Sequence, residues 1–169
     1  MRKVLLVATI VGLLSGATAL SAGAATTATF TLTAGALSIS TPTGIVSLGT
    51  QVASTGASTI SGPLGVVTVT DQRGGVTTWT ASVISTAFTP SGGPADPASN
   101  ISYGAGLVTV SPTVVATVVA ASDLTGVVTV VTGASTGIST ASWNPTISVV
   151  VPANYAPGVY SATITHSVA

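Results

Sequence analysis

The chain reads as all-β: a single-domain antiparallel β-sandwich of the Ig-like, Greek-key kind. Three observations predict it. Short runs rich in Val, Ile and Thr alternate with Gly, Pro, Ser and Asn, the punctuation of strands and turns in sandwiches and barrels. The dominant side chains are branched at Cβ, which stiffens χ1 and suits a pleated surface better than a helix. No window of about eleven residues or more carries a 3.6-residue apolar period.

Candidate strands follow in order. Residues 29–33, 36–40 and 44–48 come first. The Ser/Gly/Thr-rich stretch 50–62 reads as a loop. Strands at 64–70 and 77–85 flank the turn Asp71-Gln72-Arg73-Gly74-Gly75. Residues 89–100, TPSGGPADPASN, hold three prolines and read as an exposed excursion. Further strands are expected at 107–111, 113–119, 127–132, 146–151 and 158–166. Residues 113–131 are apolar enough to suggest a membrane span. Asp123 and Gly126 interrupt them, no Lys or Arg flanks them, and Val and Thr dominate, so two strands joined by a turn at 122–126 are expected instead. The pattern is cleanest at the end. Tyr160, Ala162, Ile164, His166 and Val168 fall on one face, Val159, Ser161, Thr163, Thr165 and Ser167 on the other, as in a strand packed on one side. Pro152 and Pro157 in the loop before it cannot donate to a ladder.

The first residues have the form of a secretory leader. Arg2 and Lys3 precede the apolar run 4–14, and Ala22-Gly23-Ala24 offers an A-x-A cleavage site. The run is shorter than the roughly 20 residues that a membrane span needs. Residues 1–24 are therefore expected to be removed as a signal peptide. One domain, 25–169, is then left, secreted and with no membrane span.

Charged residues are 4% of the chain, hydrophobic residues 46%, and mean hydropathy is +0.77. Past the leader, Arg73 is the one cation against Asp71, Asp96 and Asp123, a net charge of minus two, and no Lys remains. Nucleic acid is excluded as a partner, because phosphate neutralisation needs a cluster of cations. Cys is absent, so there is no disulfide framework and no thiolate metal site. Catalysis lacks an inventory. Past the leader there is one His, no Glu and no G-x-S-x-G elbow, whereas acid–base pairs and triads need several such groups converging. His166 has no second histidine for zinc. Asp96 and Asn100 are thin material for calcium. No cofactor and no metal are expected.

The remaining candidates are binding or turn residues. Asp71, Arg73 and Gly74 suit a structural turn in which Arg73 pairs locally with a carboxylate. Alternatively, Arg73 grips a carboxylate on a ligand through a bidentate fork. Trp79 shares a face with Val83, for which core packing is the default. Trp143, Tyr155 and Tyr103 read as lying at strand ends or in loops, where aromatics can stack on sugar rings, although burial is the better reading for Trp143 as for Trp79.

Val67-Thr68-Val69-Thr70-Asp71-Gln72-Arg73-Gly74, followed by Trp79-Thr80-Ala81, resembles the first half of the WxL domain, a bacterial surface domain named for a Trp-x-Leu motif. Trp143-Asn144-Pro145 to Pro152, then Gly158-Val159-Tyr160, is similar to its second half. The resemblance covers roughly 37–169. It implies a secreted β-domain held non-covalently on a Gram-positive cell wall, with peptidoglycan as ligand and Trp79, Arg73, Trp143, Tyr155 and His166 as candidate contacts. The chain departs from the motif in two places. Ala81 stands where the family has Leu, and in the closing strand His166 and Val168 stand where it has Trp and Leu. A structural role is the alternative: a subunit of a surface coat or fibre that assembles with itself or with other surface proteins. Few charges oppose such contacts and no Lys guards a strand edge.

Overall fold

The computed structural model describes residues 24–112, 114–153 and 155–169. The expected leader lies outside these residues except for Ala24. Residues 24–32 form no regular secondary structure and join no sheet. The folded unit is 33–169.

Its regular structure is almost wholly strand and it is sandwich-type, with antiparallel sheets throughout. Its strands are β1 (Leu37–Ser40), β2 (Ser58–Pro63), β3 (Val67–Asp71), β4 (Thr77–Ser85), β5 (Thr89–Pro90), β6 (Ile101–Gly104), β7 (Thr109–Ser111), β8 (Val114–Val118), β9 (Ala121–Ser122), β10 (Val128–Ser135), β11 (Ser139–Trp143), β12 (Thr146–Val151), β13 (Tyr160–Ser161) and β14 (Ile164–Val168). A single 3-10 turn, Ala98–Asn100, precedes β6.

Three four-stranded sheets run β1-β3-β11-β7, β14-β4-β10-β8 and β2-β12-β6-β9, and β13 pairs with β5. The first two sheets face each other, because β1 lies beside β14 and β7 beside β8. The third meets the second where β9 touches β10.

Side-chain alternation builds the core between these layers. Val67 and Val69 of β3 point inward, as do Trp79, Ala81 and Val83 of β4, Ala141 and Trp143 of β11, and Ile147 and Val149 of β12. In β10 the register against β4 shifts between Thr129 and Val131. That β-bulge turns both Val130 and Val131 inward. Large and small residues interlock across β4 and β10. Trp79 pairs with Gly133, and the indole occupies the space where a Cβ on Gly133 would stand.

Several expectations need correction. Residues 29–33 and 44–48 have strand-like composition but pair with nothing. The stretch 50–62 contains β2, which pairs with β12 along its whole length. Strands β6 and β11 were not expected. Strand β6 is only four residues long and directly follows the Pro-rich stretch, while β11 buries Ser139 and Ala141 against Thr140 and Ser142, so its hydrophobic contrast is weak. The excursion 89–100 is anchored inward, since Phe88 and Asp96 exchange two backbone hydrogen bonds of 2.8 Å and both Asp96 and Ala98 are buried. The expected strand 158–166 divides into β13 and β14, separated by Ala162 and Thr163. Its inward face is as read: Tyr160, Ala162, Ile164, His166 and Val168 are each half-buried. Residues 113–131 supply β8, β9 and the start of β10. No helix among the described residues is long and apolar enough to cross a membrane.

Candidate functional site

The β3–β4 turn concentrates the charge. Asp71 ends β3 fully buried. The backbone N–H and Nε–H of Arg73 donate to its Oδ1 at 3.1 and 2.9 Å, and Nη2–H donates to Oδ2 at 2.9 Å. Thr77 Oγ1–H donates to Oδ2 at 2.8 Å. A further Nη2 bond of 2.9 Å reaches the Thr78 carbonyl. Gly74 and Gly75 both stand at φ +72°, the left-handed region open to glycine. The Arg73 hydrogen bonds hold the Asp71 carboxyl well below the usual carboxylate range, against the upward pull of burial. The guanidinium fork thus already holds a carboxylate, that of its own turn.

Trp79 and Trp143 are both buried in the core. Trp143 closes β11, and its Nε1–H donates to Tyr103 Oη at 2.8 Å. Tyr103, buried in β6 rather than lying at a loop, stands 3.1 Å through that oxygen from His166 Nε2. The two rings meet edge-on with centroids 5.6 Å apart. Indole nitrogen only donates. Tyr103 therefore accepts from Trp143, and its own proton is free to go to His166 Nε2 when that ring is the neutral Nδ1–H tautomer. Burial pushes the Tyr103 hydroxyl up to about 12 and moves His166 below its ordinary value, so both groups are held neutral. This relay ties β11, β6 and β14, one strand from each large sheet. None of its members presents an aromatic face to solvent in the way sugar stacking requires.

Tyr155 does have such a position. It stacks on Tyr160 with centroids 6.0 Å apart and planes 16° from parallel. Each hydroxyl donates to a loop carbonyl, Tyr155 to Ala95 at 3.2 Å and Tyr160 to Ala156 at 3.0 Å. Both rings are half-buried. The loop beneath them is fixed by Asp96, whose Oδ1 accepts from Asn100 Nδ2 at 2.6 Å. Burial raises the Asp96 pKa, with Asn100 opposing. Burial likewise raises Tyr155, and the Asp96 and Tyr160 charges add to it. Elsewhere, a shallow open depression of about 470 Å³ is lined by Ser102, Tyr103, Gly104, Ser122, Thr146 and Ser148 among others, an uncharged hydroxyl-rich surface.

The structure therefore separates the sequence candidates. Tyr155 lies at the surface, Arg73 is engaged with Asp71, and Trp79, Trp143 and His166 belong to the interior or its margin. Tyr160 is the residue that sequence reasoning missed. Period-two alternation placed it on the inward face, but only the fold brings it against Tyr155. Among the described residues no three His, Asp or Glu side chains converge as metal ligands would. No family model, no curated protein and no solved structure matches this chain.

Proposed function

We propose that this chain is an exported, non-enzymatic surface domain that associates non-covalently with the peptidoglycan of a Gram-positive cell wall. The observation that carries the reading is the Tyr155–Tyr160 stack. Sugar rings present C–H faces that pack on aromatic rings, and a tyrosine pair braced by a pinned loop offers such a platform without losing side-chain freedom on binding. The surface around it relies on hydroxyls and backbone dipoles, which suits the amides and sugar hydroxyls of the wall. The leader pattern and the resemblance to the WxL domain point the same way.

Pelleting of the secreted protein with isolated Gram-positive walls tests this. Wild type is expected in the pellet, and Tyr155→Ala with Tyr160→Ala in the supernatant. A wild type that stays in the supernatant overturns the reading. So does a double variant that pellets as well as wild type.

A further inference from the structure

Each strand of the β1-β3-β11-β7 sheet carries one hydroxyl–apolar–hydroxyl triplet: Ser38-Ile39-Ser40, Thr68-Val69-Thr70, Thr140-Ala141-Ser142 and Thr109-Val110-Ser111. The ladders hold the four triplets in one register. Ser38, Thr70, Thr140 and Ser111 form one row across the sheet, and Ser40, Thr68, Ser142 and Thr109 form another. Ile39, Val69, Ala141 and Val110 make the row between them. Cross-strand partners share a face, and Val69 and Ala141 point into the core. Period-two alternation therefore turns the eight hydroxyl side chains outward. Ser38, Ser40, Thr109, Ser111 and Thr140 are exposed, and Thr68, Thr70 and Ser142 are half-buried among them.

This uniformity belongs to one sheet. Outward positions of the β14-β4-β10-β8 sheet include Ile84, Ala134 and Val115. Those of the β2-β12-β6-β9 sheet include Pro63 and Val150. A nearly uncharged chain needs hydroxyls to stay wetted, which explains their abundance. It does not explain a face from which every other side chain is missing.

The chemistry of the face narrows its partner. No charged side chain stands among the eight, so an ionic polymer finds nothing to pair with. No aromatic ring or large apolar side chain stands among them either, so stacking and hydrophobic docking do not operate there. What the face offers is hydroxyls, each able to donate and to accept. They recur about 4.8 Å apart across the strands and about 6.7 Å apart along them. The central pair is already held in place, with Thr68 Oγ1 and Ser142 Oγ 2.9 Å apart. A single hydroxyl contact exchanges with water and gains little. A set fixed in register by a ladder gains with each contact added, and Ser and Thr lose little side-chain freedom in making it. The complementary partner is therefore neutral, dense in donors and acceptors, and repeating. An unbranched neutral glycan meets all three conditions, and its sugar rings advance by a length of the order of the strand spacing.

We propose that the outward face of the β1-β3-β11-β7 sheet is a second binding surface, which takes an unbranched neutral glycan chain laid across the strands. The proposal extends the wall reading and rests on it for the source of the glycan. The surface shares no residue with the Tyr155–Tyr160 stack.

Chitin, a peptide-free polymer of N-acetylglucosamine, is the probe, and the exported chain is pelleted with it. Wild type is expected in the pellet. Thr70→Val with Thr140→Val removes two directly opposed hydroxyls while keeping side-chain shape and strand preference. That pair is expected to raise the chitin needed for half-pelleting by about tenfold or more. Thr70→Ser with Thr140→Ser keeps both hydroxyls and is expected to pellet like wild type. So is Thr59→Val, which adds the same methyl on an exposed position of another sheet. Circular dichroism checks each fold. Thr140→Arg, at an exposed position, covers the neighbouring hydroxyls with a long side chain and serves as a second variant, expected to lose chitin as the Val pair does. A wild type that stays in the supernatant overturns the proposal. So does a Val pair or an Arg variant that pellets like wild type, or a Ser pair that fails as the Val pair does. Self-association that the Val pair abolishes, seen by sedimentation velocity, also overturns it, because the face then belongs to a second copy. Walls that bind through Tyr155 and Tyr160 while chitin does not bind sink this proposal alone. Chitin binding that needs Thr70 and Thr140, without wall pelleting, sinks the wall reading alone.

Discussion

At residue scale, three positions show how local energetics are set. Asp71 is a buried carboxylate whose stability contribution comes from its four accepted hydrogen bonds, three of them from Arg73, and from the charge of that guanidinium. Its folded pKa is depressed, so that contribution is present above the unfolded value of 3.8 and is lost as pH falls through the folded one. Asp71→Ala is expected to lower the melting temperature by several degrees near neutral pH and to matter less in strong acid, measured by thermal circular dichroism. His166 obeys the same sign for a different reason. Burial disfavours its cation, so the unfolded chain takes up a proton first as pH falls below 6.5. Stability is therefore full above that pH and drops beneath it. A protonated Nε2 also presents a donor to a Tyr103 hydroxyl whose own proton then loses its acceptor. The melting temperature is expected to fall between pH 7 and pH 5, and His166→Phe to flatten that slope. Gly133 is the third. A Cβ there would stand inside the Trp79 indole, and Gly133→Ala is expected to cost about 3 kcal/mol in denaturant unfolding.

At the scale of elements, what the sequence discloses depends on contrast. Strands β4 and β12 were legible to the residue because Trp79, Val83, Ile147 and Val149 alternate with Thr and Ser. Strands β2 and β11 were not, since Ser58, Gly62, Ser139 and Ala141 lie on faces scarcely more apolar than those of Thr59, Ser61, Thr140 and Ser142. Pairing, not composition, makes them strands, and their partners lie far along the chain. Residues 44–48 err in the other direction: strand-like content without a ladder. The proline-rich loop 91–97 shows how a local signal can hide a tertiary one. Its Pro and Gly content marks it as exposed, while Asp96 pins it from within. Asn100→Ala is expected to leave the sheets intact and to speed backbone hydrogen exchange in this loop at least several-fold. The candidate site was legible only in part. Tyr155 stood out as a loop aromatic, but its stacking partner and the Trp143–Tyr103–His166 relay depend on which strands become neighbours.

At the scale of the whole molecule, sparse charge is the governing property. Wall association that rests on stacking and hydroxyl contacts is expected to change little between low and high salt, whereas an ionic adhesin would be released. Pelleting across a salt series measures this.

The clasp on Arg73 has one more consequence, which concerns resistance to proteolysis. Past residue 3, trypsin-like proteases have a single cleavage point in this chain, the Arg73–Gly74 bond. The side chain they must swallow is folded back onto Asp71 and the Thr78 carbonyl. The domain thus confines its digestibility to one guarded peptide, and nicking there is a direct gauge of how often that turn opens.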